Sequence, residues 1–371
     1  MRERNKGGLP DIIIFIVTLA LLGIGIIMVF SSSSVMAFHE EGDAYFYLKR
    51  QALWAGMGLI ALLILMNIDY RTWKKFSILA IVGVIALLIL VLVPGIGVVV
   101  GGARRWIGVG AFRIQPSEFA KMGLILFLSS YLSSIGDKVR TFKWGIIPPI
   151  LVTGIICLLI LKEPDLGTVM ALAGISFIMI FMSGCNIFHM VYLGLLSIPA
   201  IAYLIWAEPY RMRRFFAFLD PWADPLDSGF HIIQSLLALG SGGIFGLGLG
   251  MSRQKFHYLP EQHTDFIFAI LGEELGFIGA FGVVLLYIVF AWRGYRIAMN
   301  CKDRFGSLMA AGITTMIVLQ AIINLGVVSG LLPVTGITLP LISSGGSSLL
   351  PMLASIGILL NISKTVESVR K

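Results

Sequence analysis

The chain has 371 residues, 57% of them apolar and only 13% charged, with a mean hydropathy of +0.92. A soluble domain carries about twice that charge, so this composition leaves little room for one. The formal net charge of +8 does not point to nucleic acid, because the basic residues fall mostly in short loops between apolar runs.

Apolar runs of membrane-spanning length recur from end to end. They predict spans near 11–30, 52–68, 76–94, 118–135, 145–161, 166–182, 187–206, 265–292, 306–330 and 343–363. The first run follows a basic N-terminus, but Ile12–Phe30 is long and no A-x-A-like site follows it, so it reads as a retained span and not a signal peptide. The expected architecture is all-α: a polytopic integral membrane protein of about ten transmembrane helices. A single transmembrane domain covers 1–371, with tails at 1–10 and 364–371 and one long loop at 207–264. An even number of spans puts both termini on one side. With the termini inside, cytoplasmic loops hold Arg71, Lys74, Lys75, Lys138, Arg140, Lys143, Arg293, Arg296, Lys302 and Arg304, besides Arg2, Arg4, Lys6, Lys364, Arg370 and Lys371 in the tails. That excess of base over the outer segments fits the positive-inside rule. No inverted repeat with broken helices is evident. Cys157, Cys185 and Cys301 lie far apart in or beside apolar runs, without metal or redox spacing, and read as free thiols.

Five polar segments fall on the outer face. The first runs from Gly101 through Arg104, Arg105 and Trp106 to Gln115, Pro116, Ser117, Glu118 and Lys121. Pro116 and Ser117 read as a helix start, with Glu118 where the helix dipole favours it. Glu118 and Lys121 share a helix face and can pair. An interfacial Trp anchor with a structural ion pair is the plain reading; a guanidinium cradle for a phosphate headgroup is the sharper one. The second is the tight turn Lys162, Glu163, Pro164, Asp165, Gly167, Thr168, whose charges are either solvated or part of a site. The third is the long loop, with Arg211, Arg213 and Arg214 ahead of Asp220 and Trp222, then Gln234, a glycine run over 240–250, and Lys255. That run lacks a Walker lysine and follows no Rossmann strand, so nucleotide binding is rejected; the glycines let backbone approach a ligand or turn inside a protein-lined cavity.

The fourth segment, Tyr258 to Glu274, is the most informative. Glu261, His263, Thr264 and Asp265 stand at the mouth of a long apolar helix, with Glu273 and Glu274 about two turns deeper. A carboxylate at membrane depth costs about 2.5–3.5 kcal/mol on insertion scales and is a functional candidate by default. Capping of the helix is the competing role for Asp265, and interior hydrogen bonding the one for Glu273 and Glu274. The fifth segment, Pro333 to Ser348, is polar, Gly-rich and Pro-flanked, and contains Ser344 and Ser347. Such backbone must line a cavity or be buried in protein. Together the segments describe an outer, Arg- and Asp-lined site open to the bilayer, suited to an amphiphilic anion such as a lipid phosphate.

At these residues the chain resembles the SEDS family (shape, elongation, division and sporulation), to which FtsW, RodA and SpoVE belong. The resemblance spans nearly the whole chain. It is carried by Arg105-Trp106-Ile107, Gln115-Pro116-Ser117-Glu118, Glu163-Pro164-Asp165-Leu166-Gly167-Thr168, the stretch from Leu259 to Phe268, and Gly345-Gly346-Ser347-Ser348. The segments from Asp220 to Ser235 and from Thr335 to Pro340 look like the division and sporulation branch, FtsW and SpoVE, more than RodA. The family pattern has an aromatic before Gly345; here Ser344 stands there.

The resemblance implies a peptidoglycan glycosyltransferase that joins lipid II into glycan strands on the outer face of the bacterial cytoplasmic membrane. It implies a class B penicillin-binding protein as partner, and Asp265 matches the family's essential aspartate. The expected catalytic residue is therefore Asp265, as general base or as the residue placing a divalent cation (Mg2+ or Mn2+), with no organic cofactor. The expected substrate-binding residues are Arg104, Arg105, Trp106, Glu118, Lys121, Glu163, Asp165, Arg211, Arg214, Gln234, Lys255, Glu261, His263, Thr264, Ser344 and Ser347. Two other classes share the features: a lipid II flippase, and a non-catalytic scaffold for a penicillin-binding protein.

Overall fold

A computed structural model describes residues 8–100, 102–109, 112–255 and 261–366. Gly101 of the first segment, Tyr258, Leu259 and Pro260 of the fourth, and Arg2, Arg4, Lys6, Arg370 and Lys371 of the tails lie outside the described residues.

In chain order the helices are α1 (Ile12–Glu41), α2 (Phe46–Leu65), α3 (Arg71–Lys75), α4 (Ser77–Leu92), α5 (Pro116–Ser134), α6 (Phe142–Gly145), α7 (Ile147–Leu161) and α8 (Leu166–Met182). There follow α9 (Ile187–Trp206), α10 (Pro209–Leu219), α11 (Phe230–Ser241), α12 (Ile267–Asn300), α13 (Arg304–Val328) and α14 (Gly346–Ser363). Each span expected from the apolar runs falls on one of them. Seven helical stretches are long and apolar enough to cross a membrane by length and composition, making this a multi-pass membrane protein. The expected spans on α4, α5 and α8 are 16, 19 and 17 residues long.

Helix ends follow local chemistry. Asp11 caps α1 by accepting from the amides of Ile13 and Ile14 at 3.0 and 3.1 Å. Gly42 closes it in the left-handed region, φ 72°, its N–H returning to the Phe38 carbonyl. The other Asp11 carboxylate oxygen accepts from Arg293 of α12 at 2.6 and 3.0 Å, and the Asp11 N–H donates to Ser363 of α14. The start of α1, the far half of α12 and the end of α14 are thus fastened at one face of the bundle. α13 and α14 run through its interior, whereas α9 is almost wholly peripheral.

Three features depart from the expected all-helical layout. First, the segment ahead of α5 is a small antiparallel sheet of β1 (Gly97–Val100), β2 (Ala103–Val109) and β3 (Phe112–Ile114), in that order. The run of valines at 98–100 and Trp106-Ile107 carry β propensity, and Gly102 at φ 78° permits the tight turn. Val98 sits opposite Trp106, with a bulge before Val99.

Second, the long loop 207–264 contains α10 and α11, and α11 packs on α12 and α13. Third, α12 is broken. Gly276 has φ 67° and ψ −168°, a region reserved for glycine. The glycine run 240–250 lies against that break. Leu247 and Gly248 donate to the carbonyls of Glu273 and Glu274, while Phe277 and Ile278 donate to those of Gly243 and Ile244. The run therefore completes the hydrogen bonding that the break removes, as backbone at membrane depth requires.

Candidate active site

Asp265 lies in the turn ahead of α12, which begins at Ile267 with Phe266 at its cap position and no side-chain cap. Capping, the competing role for this carboxylate, is excluded. Its carboxyl makes no ion pair with any described residue and lies 3.6 Å from where a Cβ on Gly336 would stand. Glycine at 336, with φ 77°, lets the segment after α13 run against the carboxyl without a side chain between them.

Five segments converge here. Arg105 of β2 donates from Nε to the Glu163 carbonyl at 2.7 Å and from Nη2 to the Pro164 carbonyl at 2.6 Å. The turn it grips leads into α8, where Asp165 accepts from the Thr168 amide and hydroxyl at 3.0 and 2.9 Å and from Gln115 at 3.5 Å. Tyr210 of α10 reaches the Pro164 carbonyl, and Arg214 of α10 reaches the Val334 carbonyl at 3.4 Å. A Cβ on Gly167 would meet the Thr335 carbonyl at 2.5 Å, so α8 and the segment after α13 touch through backbone. Glu261 closes the remaining side; its carboxylate accepts from the Thr264 hydroxyl at 2.8 Å.

The charges are not solvated turn residues. Glu163 is fully buried and Asp165 is 7% exposed. Burial pushes the Glu163 carboxyl up to about 8, with Asp165 adding to the shift and Arg105 opposing it. Desolvation raises Asp265 to about 7, helped by the charges of Glu261 and Asp165 and opposed by Arg214 and Arg105. Burial holds His263 below the ordinary imidazole value, against the pull of Glu261. Both Glu163 oxygens, His263 Nδ1, Thr335 Oγ1 and Asn324 Oδ1 are buried without a hydrogen-bond partner. Unpartnered buried polar atoms are rare in folded proteins; these five belong to the segments that meet at one carboxylate, while others, such as Tyr70 Oη, Trp73 Nε1 and His189 Nδ1, lie elsewhere.

The other expected site residues divide into two groups. Trp106, on the same strand as Arg105, is half-buried. Ser344 donates its N–H to the His263 carbonyl at 2.9 Å, directly behind the Asp265 turn. Glu118 and Lys121 pair at 2.8 Å on α5 and line a crevice with Gln320, Ser348 and Met352, and Ser347 is buried at the start of α14. Gln234 is half-buried on α11.

The remaining basic residues turn elsewhere. Arg104 donates to the Leu92 carbonyl at the end of α4, so neighbouring strand residues send the two guanidinium groups to different partners instead of one cradle. Arg211 is spent on Tyr210 and on the Leu204 carbonyl of α9. Lys255 pairs at 3.5 Å with Glu274, about 13 Å along α12 from Asp265 at helical rise. There Ser31 of α1 also donates to Glu274, while Ser252 and the amides of Arg253 and Gln254 donate to Glu273. Glu273 and Glu274 thus serve the interior.

A family model described as a cell cycle protein, covering FtsW, RodA and SpoVE, matches residues 12–368. The chain belongs to this family. Stage V sporulation protein E of Bacillus subtilis is 52% identical over 355 residues, 96% of this chain and 97% of that protein. A probable peptidoglycan glycosyltransferase FtsW of Geobacter sp. (strain M18) is 44% identical over 353 residues, 95% of this chain and 96% of its own. Among solved structures, a chain of a peptidoglycan synthase complex that coordinates polymerization and crosslinking aligns with TM-score 0.77 at 29% identity, covering 95% of this chain and 97% of that one. The rod shape determining protein RodA of Thermus thermophilus aligns with TM-score 0.71 at 28% identity, covering 95% and 96%.

One residue in the site escaped the sequence reading. Asn324 of α13, 1% exposed, donates from Nδ2 to the carbonyls of Asp265 and Ile337 at 2.7 and 2.8 Å. Its signal was an amide inside an apolar helix, one turn after Gln320, a costly placement unless it is hydrogen-bonded.

Proposed function

We propose that the protein is an inverting peptidoglycan glycosyltransferase that joins lipid II units into glycan strands on the outer face of the cytoplasmic membrane, for the division septum or the spore cortex. The observation that carries this reading is the Asp265 carboxyl. It is spared from capping and ion pairing and set among two guanidinium groups and two further carboxyls, in a chain whose relatives include a protein named as such a transferase.

The donor sugar is bonded through C1 to undecaprenyl pyrophosphate, and the acceptor is the C4 hydroxyl of N-acetylglucosamine on another lipid II. The bond made is β and the bond broken is α, so direct displacement with inversion follows. As the acceptor oxygen bonds to C1, its proton passes to the Asp265 carboxylate and the C1–O bond to pyrophosphate breaks. A base near neutrality suits that task. Arg105 and Arg214 lie close enough to shift the Asp265 charge and would offset the negative charge growing on the leaving group.

A divalent cation fits the same place. Among the described residues no group of three His, Cys, Asp or Glu side chains is placed to hold a metal. Mg2+ is commonly bound by one or two carboxylates together with substrate phosphates, so Asp265 would hold it, and the ion would neutralise pyrophosphate charge. Ten crossings, both termini inside and the site outside are the topology we assign; the basic residues of the short loops support it, as does the clasp of Asp11, Arg293 and Ser363 at the face opposite the site. The partner we assign is a class B penicillin-binding protein.

The test is polymerisation of purified lipid II by the detergent-solubilised protein, with and without that partner and with Mg2+ or Mn2+. Glycan strands are expected. Their absence under every condition would move the reading to lipid II transport or to scaffolding. Activity also carries a pH signature. The carboxylate is the working form, so kcat/KM is expected to rise with pH through about 7 and to be lost below it. A profile flat from about pH 5 to about pH 9 would remove Asp265 from the role of base.

A further inference from the structure

The turn that carries Asp265 is held by its backbone. Three successive carbonyls each accept a hydrogen bond from another part of the chain: His263 from the Ser344 N–H at 2.9 Å, Thr264 from the Ser343 hydroxyl at 2.6 Å, and Asp265 from Asn324 Nδ2 at 2.7 Å. Two of these donors belong to the segment that runs from Thr335 back to α14. That segment reaches deep into the bundle. The Pro340 carbonyl accepts from the buried Tyr287 hydroxyl of α12, and a Cβ on Gly25 of α1 would meet the Leu341 carbonyl at 2.5 Å.

The third donor differs from the other two. Asn324 uses a single NH2 group for two acceptors, the carbonyls of Asp265 and Ile337. Both neighbours are acceptors, so only the NH2 edge of the amide can face them. Ile337 follows Gly336, the residue that abuts the Asp265 carboxyl. One buried amide therefore fixes the backbone at Asp265 and the backbone beside Gly336, on two sides of the reacting group. Its Oδ1 has no partner, so the group is placed for its donor edge.

We propose that Asn324 is a positioning residue for Asp265, fastening the catalytic turn to the segment between α13 and α14 so that the carboxyl stays in its half-buried orientation. This rests on the reading of Asp265 as the base. The charged groups acting on Asp265 are Glu261 from its own turn, Asp165 from the turn before α8, Arg105 from β2 and Arg214 from α10; α13 contributes the neutral Asn324. Releasing the amide frees the turn, and the carboxyl can leave its place beside Gly336. Misplacement of about an ångström costs up to a hundredfold in rate.

The test compares wild type, Asn324→Leu and Asn324→Gln in the full-length protein with its partner. The leucine variant is expected to lose about tenfold to a hundredfold in kcat with KM for lipid II within about twofold. The glutamine variant recovers part of the loss. Where the leucine variant is not recovered from the membrane, Asn324→Ser, with one donor for two carbonyls, is expected to show a smaller loss in kcat. A second readout needs no turnover: at one fixed pH, carbodiimide labelling at Asp265, followed by peptide mass spectrometry, rises in the same variants. Labelling and rates that match wild type overturn the proposal. If wild type does not polymerise lipid II, the functional reading fails, and the labelling still decides whether Asn324 positions the carboxyl.

Discussion

Asp265→Asn is expected to reduce kcat for lipid II polymerisation by about 10²–10⁴-fold, the range of a lost general base, while leaving the folded protein intact. The argument for an intact fold is specific to this position. Asn has nearly the same shape, the wild-type carboxyl closes no ion pair, and the helix behind it starts without a side-chain cap. The Asp265 carbonyl, which Asn324 grips, is backbone and survives the change. Removing a half-buried charge from among Glu261 and Asp165 even relieves repulsion. KM for lipid II should therefore stay close to wild type, and the variant should still form its complex with the penicillin-binding protein. Steady-state polymerisation, complex recovery and melting in detergent check the three parts together. A scaffold would be indifferent to the substitution, and a transporter would respond only if charge mattered for translocation. A variant within about threefold of wild-type kcat would sink the base assignment, because no general base is worth so little.

Much of the architecture could be read from the chain because lipid imposes a simple pattern. Each apolar run of spanning length became a helix. The cluster ahead of the run 265–292 was conspicuous because carboxylates are so rarely placed there. What escaped reading was whether a polar residue faces water or protein. Glu163 and Asp165 stand on a tight turn, where charges are commonly solvated; the structure buries both, because Arg105 and Tyr210 close over the turn's carbonyls. Arg104 and Arg105 looked like one cradle as neighbours in a list; a strand sends neighbours to opposite faces, and only Arg105 joins the site. Lys255 reads from the sequence as one more basic residue of the long loop, whereas its ammonium is held by the buried Glu274. Asn324 is separated from Asp265 by the full length of α12 and most of α13. Its hydrogen bond to Asp265 exists only once α12 and α13 pack, so no local pattern announces it.

Gly276→Ala is expected to destabilise the protein by about 3 kcal/mol or more. Among 42 glycines the sequence offers no reason to select this one; geometry does. Its φ of 67° and ψ of −168° belong to a region that side chains avoid, which alone costs about 1–3 kcal/mol. A Cβ there would stand 2.3 Å from the Gly246 amide nitrogen and 2.5 Å from the Ile244 carbonyl oxygen, and both are backbone atoms that cannot swing aside. The glycine run would have to retreat, releasing its bonds to the carbonyls of Glu273 and Glu274 and those that Phe277 and Ile278 make in return. Bare peptide groups at membrane depth are the costly outcome. Gly282, six residues further along the same helix, is the matched control, because a Cβ there meets nothing within 4 Å. Gly282→Ala should be neutral or gain up to about 1 kcal/mol from helix propensity. Recovery from the membrane and melting in detergent read the contrast, with Gly276→Ala low on both and Gly282→Ala at or above wild type. Equal melting of the two variants would mean that the break at Gly276 is not fixed by the glycine run. If the contrast holds, the half of α12 that begins behind Asp265 is a stub held between two clamps, Asn324 and Ser343 on the carbonyls of the Asp265 turn and the glycine run at the break.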